Sequence, residues 1–351
     1  MSLIALRLED LRCLRQADLE LDPGLNLVSG DNGSGKTSLL EAIYLLGRGR
    51  SFRTRHSEHL IRHAAPRFWV HGRTAPEPGH SIGVECSRDD PMQIRVDRLP
   101  IASRSELSEI FPVQIIDPGI HRLVEDGPPQ RRRWLDWAVF HVEPGFVRQW
   151  QGYTRALKQR NAALQSRNDE TPWEGELVRL GELLTGGRAA LIGALQPYWA
   201  SELKNLGAVE ATLGFFQGWS RDQSLGESLS THRIGDRERG ITSVGPHRFE
   251  VLLRLDGRPV REVVSRGQQK LLGVAMALSM ARYIAEVANR IPTLLLDDPT
   301  AELDLARTEA LLDAVRGLRA QLVVTALHPT DRVLGVPDAV FHVEHGGVKR
   351  L

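Results

Sequence analysis

The sequence predicts an α/β fold whose sheet-bearing core is interrupted by a mainly helical second lobe. Three observations carry that prediction. Near the start, the apolar run Leu25, Leu27 and Val28 leads into Gly30-Asp31-Asn32-Gly33-Ser34-Gly35-Lys36-Thr37, and Ser38–Leu46 continues with helical character. Near the end, Thr293-Leu294-Leu295-Leu296 runs straight into Asp297-Asp298. Between them, from Pro128 to Asn205, charged segments carry apolar residues at helical spacing.

The first of these is a strand, a glycine-rich loop and a helix in the order a phosphate-binding loop requires. Glycines let successive N–H groups close on an anion, and the helix N-terminus adds its positive end. Gly30, Asp31, Asn32, Gly33, Ser34, Gly35, Lys36, Thr37 and Ser38 are therefore expected to line a nucleoside triphosphate. Lys36 would reach the β- and γ-phosphates, and the Thr37 hydroxyl would ligate Mg²⁺.

The remaining elements follow from periodicity. Leu3–Leu8 and Ala17–Leu21 read as two strands joined by an arginine-containing turn. Phe68–Thr74, Ser81–Ser87 and Gln93–Val96 make the first third strand-rich, and Pro112–Pro118 is a buried strand ended by proline. Helices are expected over Gln130–Phe140, Pro144–Ser166, Trp173–Leu184 and Gly187–Leu206, with a mixed segment to Arg239. Strand character returns at Phe249–Leu255 and Leu294–Leu296, with helices at Gly267–Ala288 and Ala306–Leu318. Gln321–Thr325 is a last core strand and Ala339–Glu344 an edge strand. The expected division is 1–125 and 241–351 for the two parts of the core and 126–240 for the helical lobe.

The leucine run before Asp297 fits a parallel strand buried on both faces, whose carboxyl tip is where such sheets bind ligands. Asp297 would hold Mg²⁺, directly or through water, and Asp298 would position or deprotonate the attacking water. Ala301-Glu302-Leu303-Asp304 opens the next helix. Ser265-Arg266-Gly267-Gln268 opens another with a serine cap, giving a second positive helix end. One nucleotide seldom needs two such ends within one chain. Either this is an ordinary capped helix, or it completes the site of a second copy.

Composition excludes several classes. The 351 residues are 41% hydrophobic and 25% charged, ordinary for a globular chain with a full core. Two widely spaced cysteines, Cys13 and Cys86, argue against a disulfide framework or zinc site and fit a reducing cytoplasm. The segment Met1–Arg7 lacks the pattern of a signal peptide, and Leu271–Ala288 is interrupted by Arg282 and Glu286, so no membrane association is expected. The formal net charge is only +1, so any nucleic-acid surface must be local.

Taken together, the phosphate loop, Gln114 after a strand, Ser-x-Gly-Gln before a helix, and Leu-Leu-Leu-Asp-Asp resemble the P-loop ABC-type ATPase heads. Longer blocks resemble the RecF family of that superfamily: Gly24-Leu25-Asn26, Gly49–Thr54, Arg131–Trp137, Lys158–Leu164 and Gly245-Pro246-His247-Arg248. That resemblance spans nearly the whole chain. It implies an SMC-like head with a compact helical lobe, ATP and Mg²⁺ as cofactors, and a homodimer formed on ATP binding. It further implies binding to double-stranded and gapped DNA at single-strand/double-strand junctions, and RecA loading in recombinational repair with RecR and RecO. A weak, DNA-dependent ATPase would act as the release switch. By the same resemblance, Gln114 senses the metal or the attacking water, Asp298 takes the base position, and Ser265, Gly267 and Gln268 reach the partner's nucleotide. The sequence departs from the wider superfamily in three places. Asp298 stands for a glutamate, Pro118-Gly119 for proline-glutamate, and Thr325-Ala326-Leu327 for the transporter histidine.

Arg48, Arg50, Arg53 and Arg55 form a dense basic stretch after the phosphate-loop helix. They are either sequence-independent phosphate contacts or a solvated loop paired with carboxylates. Arg131, Arg132 and Arg133 are expected to be structural, and the tryptophans at 134, 137, 150, 173, 199 and 219 to pack in the core. His247 would brace a subunit interface.

Overall fold

The computed structural model describes residues 1–101, 103–143, 145–299, 304–328 and 335–351. They divide into two compact units: Met1–Ile120, Asn205–Gly207 and Val274–Leu351 form the first, His121–Lys204 with Ala208–Gly273 the second. Return to the first unit falls inside a helix, at Val274, and not at residue 241 where the composition changes.

In chain order the first unit contains β1 (Ser2–Leu11), β2 (Leu14–Glu20), β3 (Leu25–Ser29), α1 (Lys36–Arg48), β4 (Arg67–Ala75), β5 (Ser81–Ser87), β6 (Gln93–Val96), β7 (Leu99–Pro100), α2 (Arg104–Ile110) and β8 (Val113–Ile116). The intervening chain supplies α3 (Arg122–Glu125), α4 (Pro128–Val142), α5 (Phe146–Gln165), α6 (Glu174–Asn205), β9 (Thr212–Phe216), α7 (Leu225–Arg239), β10 (Glu250–Leu255), β11 (Arg258–Pro259) and α8 (Val260–Val263). After α9 (Arg266–Val287) come β12 (Thr293–Leu296), α10 (Leu305–Arg316), β13 (Leu322–Ala326), β14 (Ala339–Glu344) and β15 (Gly347–Arg350).

Among the described residues, twelve strands form one sheet in the order β7-β6-β5-β4-β1-β2-β15-β14-β3-β13-β12-β8. The stretch β14-β3-β13-β12-β8 is parallel. Every residue of β12 and β13 is buried, as strands covered on both faces require. Helix α1 fixes the loop that precedes it: Leu39, Leu40, Ile43, Leu45 and Leu46 have no exposed surface. Each buried side chain of this kind contributes about 2 kcal/mol. The helix stops at Gly49, whose φ of 59° closes a left-handed cap on the Leu45 carbonyl.

Several expectations are corrected. β14 is no edge strand, because β15 pairs with its outer side and joins it to β2. The two helices expected around Gly186-Gly187 are one 32-residue helix, α6. A glycine costs about 1 kcal/mol in a helix interior, less than the buried stripe Leu177, Leu180, Leu184, Leu191 and Leu195 supplies on either side. Trp173 is exposed, while Trp134, Trp137, Trp199 and Trp219 are buried. Pro144, the expected start of the helix here seen from Phe146, lies outside the described residues.

The second unit is held by buried ion pairs, and these use the blocks that resembled RecF. Arg160 is fully buried and donates to Asp236 (3.0 Å), Glu174 (3.1 Å) and Thr242 (2.8 Å). Arg188, equally buried, donates to both oxygens of Asp136 (2.8 and 3.1 Å) and to the Pro246 carbonyl (2.9 Å), with its guanidinium 4.0 Å from the Phe249 ring centre. Arg131 pairs with Glu250 and caps the carbonyls of Leu123, Val124 and Asp126, so it is structural as expected. A buried charge of this kind is tolerated only when paired and fully hydrogen-bonded.

His247 lies inside this network, and its contacts make it a brace within the unit. Its Nε2 donates to the Thr242 carbonyl (3.0 Å), so Nδ1 is left to accept from the Tyr153 hydroxyl (2.7 Å). Burial holds its pKa down to about 4, against an ordinary 6.5. Above pH 6.5 the ring is neutral in both folded and unfolded chains, and stability is unaffected. As pH falls from about 6.5 towards 4, only the unfolded chain takes the proton, and the folded state loses about 1.4 kcal/mol per pH unit from this group. Urea unfolding at several pH values is expected to show a shallower acid decline for His247→Gln. Equal slopes in the two proteins would contradict the assignment.

Candidate functional site

Strand β3 ends at Ser29, and the chain then turns through Gly30 with φ 149° and Gly35 with φ 121°. A Cβ on Gly30 would lie 2.5 Å from the Val343 carbonyl oxygen, and one on Gly35 would lie 2.7 Å from Leu14 Cδ2. Both positions therefore require glycine for space as well as for backbone shape. The first turn of α1 carries no acidic residue, which leaves its positive end uncompensated for an anion.

Lys36 is buried and folds over the loop, donating to the carbonyls of Gly30 (2.5 Å) and Asp31 (3.0 Å). Asp31, Asn32 and Gly33 are exposed, and Ser38 is buried. The Ser34 hydroxyl oxygen is shielded and has no hydrogen-bond partner among the described residues. A loop with an open polar mouth and an unused hydroxyl suits an oxygen-rich ligand.

The aspartate strand delivers its carboxylates to the same place. Thr37 Oγ1 donates towards both oxygens of Asp297, at 3.1 and 2.9 Å. The Asp297 backbone N–H is tied to the Ile116 carbonyl (2.9 Å), and its Oδ1 accepts from Thr325 Oγ1 (2.9 Å). Asp298 follows with φ 48°, a left-handed conformation that costs a non-glycine residue about 1–2 kcal/mol. Its N–H donates to Thr325 Oγ1 (2.8 Å). A hydroxyl and a carboxylate are hard oxygen donors, a set that suits Mg²⁺ completed by phosphate and water. Among the described residues no group of three or more His, Cys, Asp or Glu could hold a metal by itself.

Gln114 is not brought to this cluster, which corrects the expectation that it faces the metal. In β8 it pairs with Leu294, three positions before Asp297. At about 3.3 Å per residue it stops about 10 Å short of the tip. Its amide donates to the Ala277 carbonyl of α9 (2.9 Å), and its buried Oε1 has no partner among the described residues.

Ser265, Gly267 and Gln268 belong to the second unit, Lys36, Thr37, Asp297 and Asp298 to the first. Ser265 is exposed just before α9, and the Gln268 side chain accepts from the Val209 N–H (3.2 Å). Of the segment Ala301-Glu302-Leu303-Asp304, the first three residues lie outside the described residues, and Asp304 caps α10 by accepting from the Arg307 N–H (2.9 Å).

The arginine stretch is divided by the structure. Arg48 packs its guanidinium 5.6 Å from the Tyr44 ring centre, and burial lowers its pKa to about 10, so it leaves the set of exposed cations. Arg50, Arg53 and Arg55 are exposed. The loop carrying them is fastened to α1 by Glu41, a fully buried carboxylate. Arg12 donates to it twice (2.9 and 3.0 Å), Ser51 donates its hydroxyl, and Arg53 approaches to 3.9 Å. Ser51 in turn accepts from the N–H groups of Arg53 (2.9 Å) and Thr54 (3.0 Å). Neither Glu41 nor Thr325 carries a local sequence signal; Thr325 stands out only within Thr325-Ala326-Leu327, the segment in place of the transporter histidine.

Comparison with known proteins agrees with this geometry. The RecF/RecN/SMC N-terminal domain family matches residues 2–346. The chain is 37% identical to the DNA replication and repair protein RecF of Yersinia enterocolitica, over 99% of each chain. Identity to the protein of the same description from Edwardsiella ictaluri is also 37%, again over 99% of each. A solved recombination mediator protein RecF with ATP, of the RecFOR pathway, superposes with a TM-score of 0.88 at 24% identity, covering 99% of this chain and 97% of that one. The Smc head domain of Pyrococcus furiosus, bound to the C-terminal domain of ScpA, gives 0.61 at 15% identity, covering 99% and 95%. A mixed α/β head with this large sheet is thus the fold shared with RecF and SMC heads. The chain belongs to the RecF family of DNA replication and repair proteins.

Proposed function

We propose that this chain is an ATP-switched DNA-binding protein of recombinational repair. The observation that carries the reading is the meeting of Thr37 with Asp297 beside a glycine-shaped loop. ATP would lie along Gly30–Ser38, with Lys36 exchanging its loop carbonyls for the β- and γ-phosphate oxygens. Mg²⁺, held by Thr37 and Asp297, would neutralise charge on the phosphates. Asp298 would orient or deprotonate the attacking water.

Ser265, Gly267 and Gln268 would complete the site of a second copy, so ATP binding would assemble a homodimer. That dimer would grip double-stranded or gapped DNA at single-strand/double-strand junctions and, with RecR and RecO, assist RecA loading. Slow, DNA-dependent hydrolysis would release it. Support comes from family membership over the whole chain and from relatives described as replication and repair proteins. Among the described residues no helix is long and apolar enough to cross a membrane.

Removing the lysine contact is expected to weaken nucleotide binding by about 10–100-fold, the range for a charge-assisted hydrogen bond. Fluorescent-ATP titration of Lys36→Ala measures it, and unchanged affinity would remove Lys36 from the site. Asp298→Asn should keep nucleotide affinity while turnover drops by about 100-fold or more. Turnover at the parent rate would end the base assignment. For the basic loop, each lost phosphate contact reduces the slope of log affinity against log salt by about 0.9. The double substitution Arg50→Ala with Arg55→Ala should therefore flatten the slope for a gapped duplex by about two. An unaltered slope would place the DNA elsewhere.

A further inference from the structure

The two aspartates at the tip of β12 are joined by one hydroxyl, and that hydroxyl has no place in the mechanism proposed above. Thr325 lies on β13, the strand between the phosphate-loop strand β3 and β12. Its register partner on β3 is Val28, while the preceding Val324 pairs with Leu296. Thr325 is therefore level with Asp297, and it is fully buried.

A threonine hydroxyl has one proton to give and lone pairs to receive. Here the proton goes to Asp297 Oδ1 (2.9 Å) and a lone pair takes the Asp298 N–H (2.8 Å). The second contact pins the backbone of a residue held at φ 48°. The first holds the Asp297 Oδ1 atom, which Thr37 Oγ1 also approaches at 3.1 Å. Thr37 has lone pairs to offer a metal while its proton stays on Asp297, and the bond from the buried Thr325 is independent of that contact.

We infer that Thr325 is a positioning residue for ATP hydrolysis, fixing the Asp297 carboxylate for metal binding and the Asp298 backbone for water activation. The inference rests on the reading of Asp297 and Asp298 given above. Valine matches threonine in shape and lacks the hydroxyl, so Thr325→Val removes both bonds and leaves the packing intact. Thr325→Ser restores both.

The test uses the full-length protein with fluorescent ATP and steady-state turnover. For Thr325→Val, kcat is expected to fall by about 10–100-fold, the usual effect of removing an outer-shell partner. Nucleotide affinity in chelator should stay at the parent value, while the Mg²⁺ concentration needed for tight binding rises. Thr325→Ser should recover most of both properties. Combined with Asp298→Asn, the valine variant should lose less than the product of the single losses, because part of its effect runs through Asp298. Parent kcat and Mg²⁺ dependence in Thr325→Val, with Asp298→Asn slow, would overturn the inference alone. If Asp298→Asn also turned over normally, the reading of the site itself would fall. Should Thr325→Val fold poorly, the serine variant decides: parent behaviour supports the hydroxyl role, and a loss as large as that of Thr325→Ala overturns it.

Discussion

A hydrogen bond between residues 260 positions apart, Thr37 to Asp297, is the constraint on which the rest of the site depends. It can form only if β3 and β12 are parallel, end at the same edge and are separated by a single strand. The order β3-β13-β12 supplies that separation, with the buried β13 between them. Deep burial of α1 then holds the loop against the sheet, so the lysine and hydroxyl are placed before any ligand arrives. Burial fixes the backbone that carries these groups, while the Lys36 ammonium is held on the Gly30 and Asp31 carbonyls, contacts that an anion would have to replace.

The second unit solves a different problem. It is built on arginines with no exposed surface, Arg160 and Arg188, whose partners come from distant segments. Loss of Asp136, the carboxylate paired with Arg188, would leave a buried charge uncompensated, a cost of about 3–5 kcal/mol. Geometry explains why Asp136 and the Pro246–His247 turn go together: Arg188 joins them, and Tyr153 locks the histidine beside it. The blocks at 131–137 and 245–248 are in this sense structural, whatever surface they frame.

Much of this was legible in the sequence because its signals are local. Glycine spacing and a leucine run into two aspartates each act within about ten residues, and the phosphate-loop helix and the aspartate-tipped strand lie where expected. What could not be read depended on pairing between distant strands. Ala339–Glu344 alternates like an edge strand, yet the short β15 covers it. Gln114 follows a strand-like pattern, but only the register with Leu294 shows how far it stops from the tip. Thr325 and Glu41 are ordinary residues in apolar surroundings until the fold brings Asp297, Arg12 and Ser51 to them. Gly186 and Gly187 lie inside one helix because the buried leucines on either side outweigh the low helix propensity of glycine.

In the proposed dimer, a magnesium–nucleotide complex would join the lysine loop of one copy to the serine-capped helix of another. Sedimentation equilibrium of the purified chain, with and without Mg²⁺ and a non-hydrolysed ATP analogue, tests it most directly. A species of the 39.2 kDa chain mass is expected without nucleotide and one of twice that mass with it. A single-chain mass at saturating nucleotide and high protein concentration would contradict it.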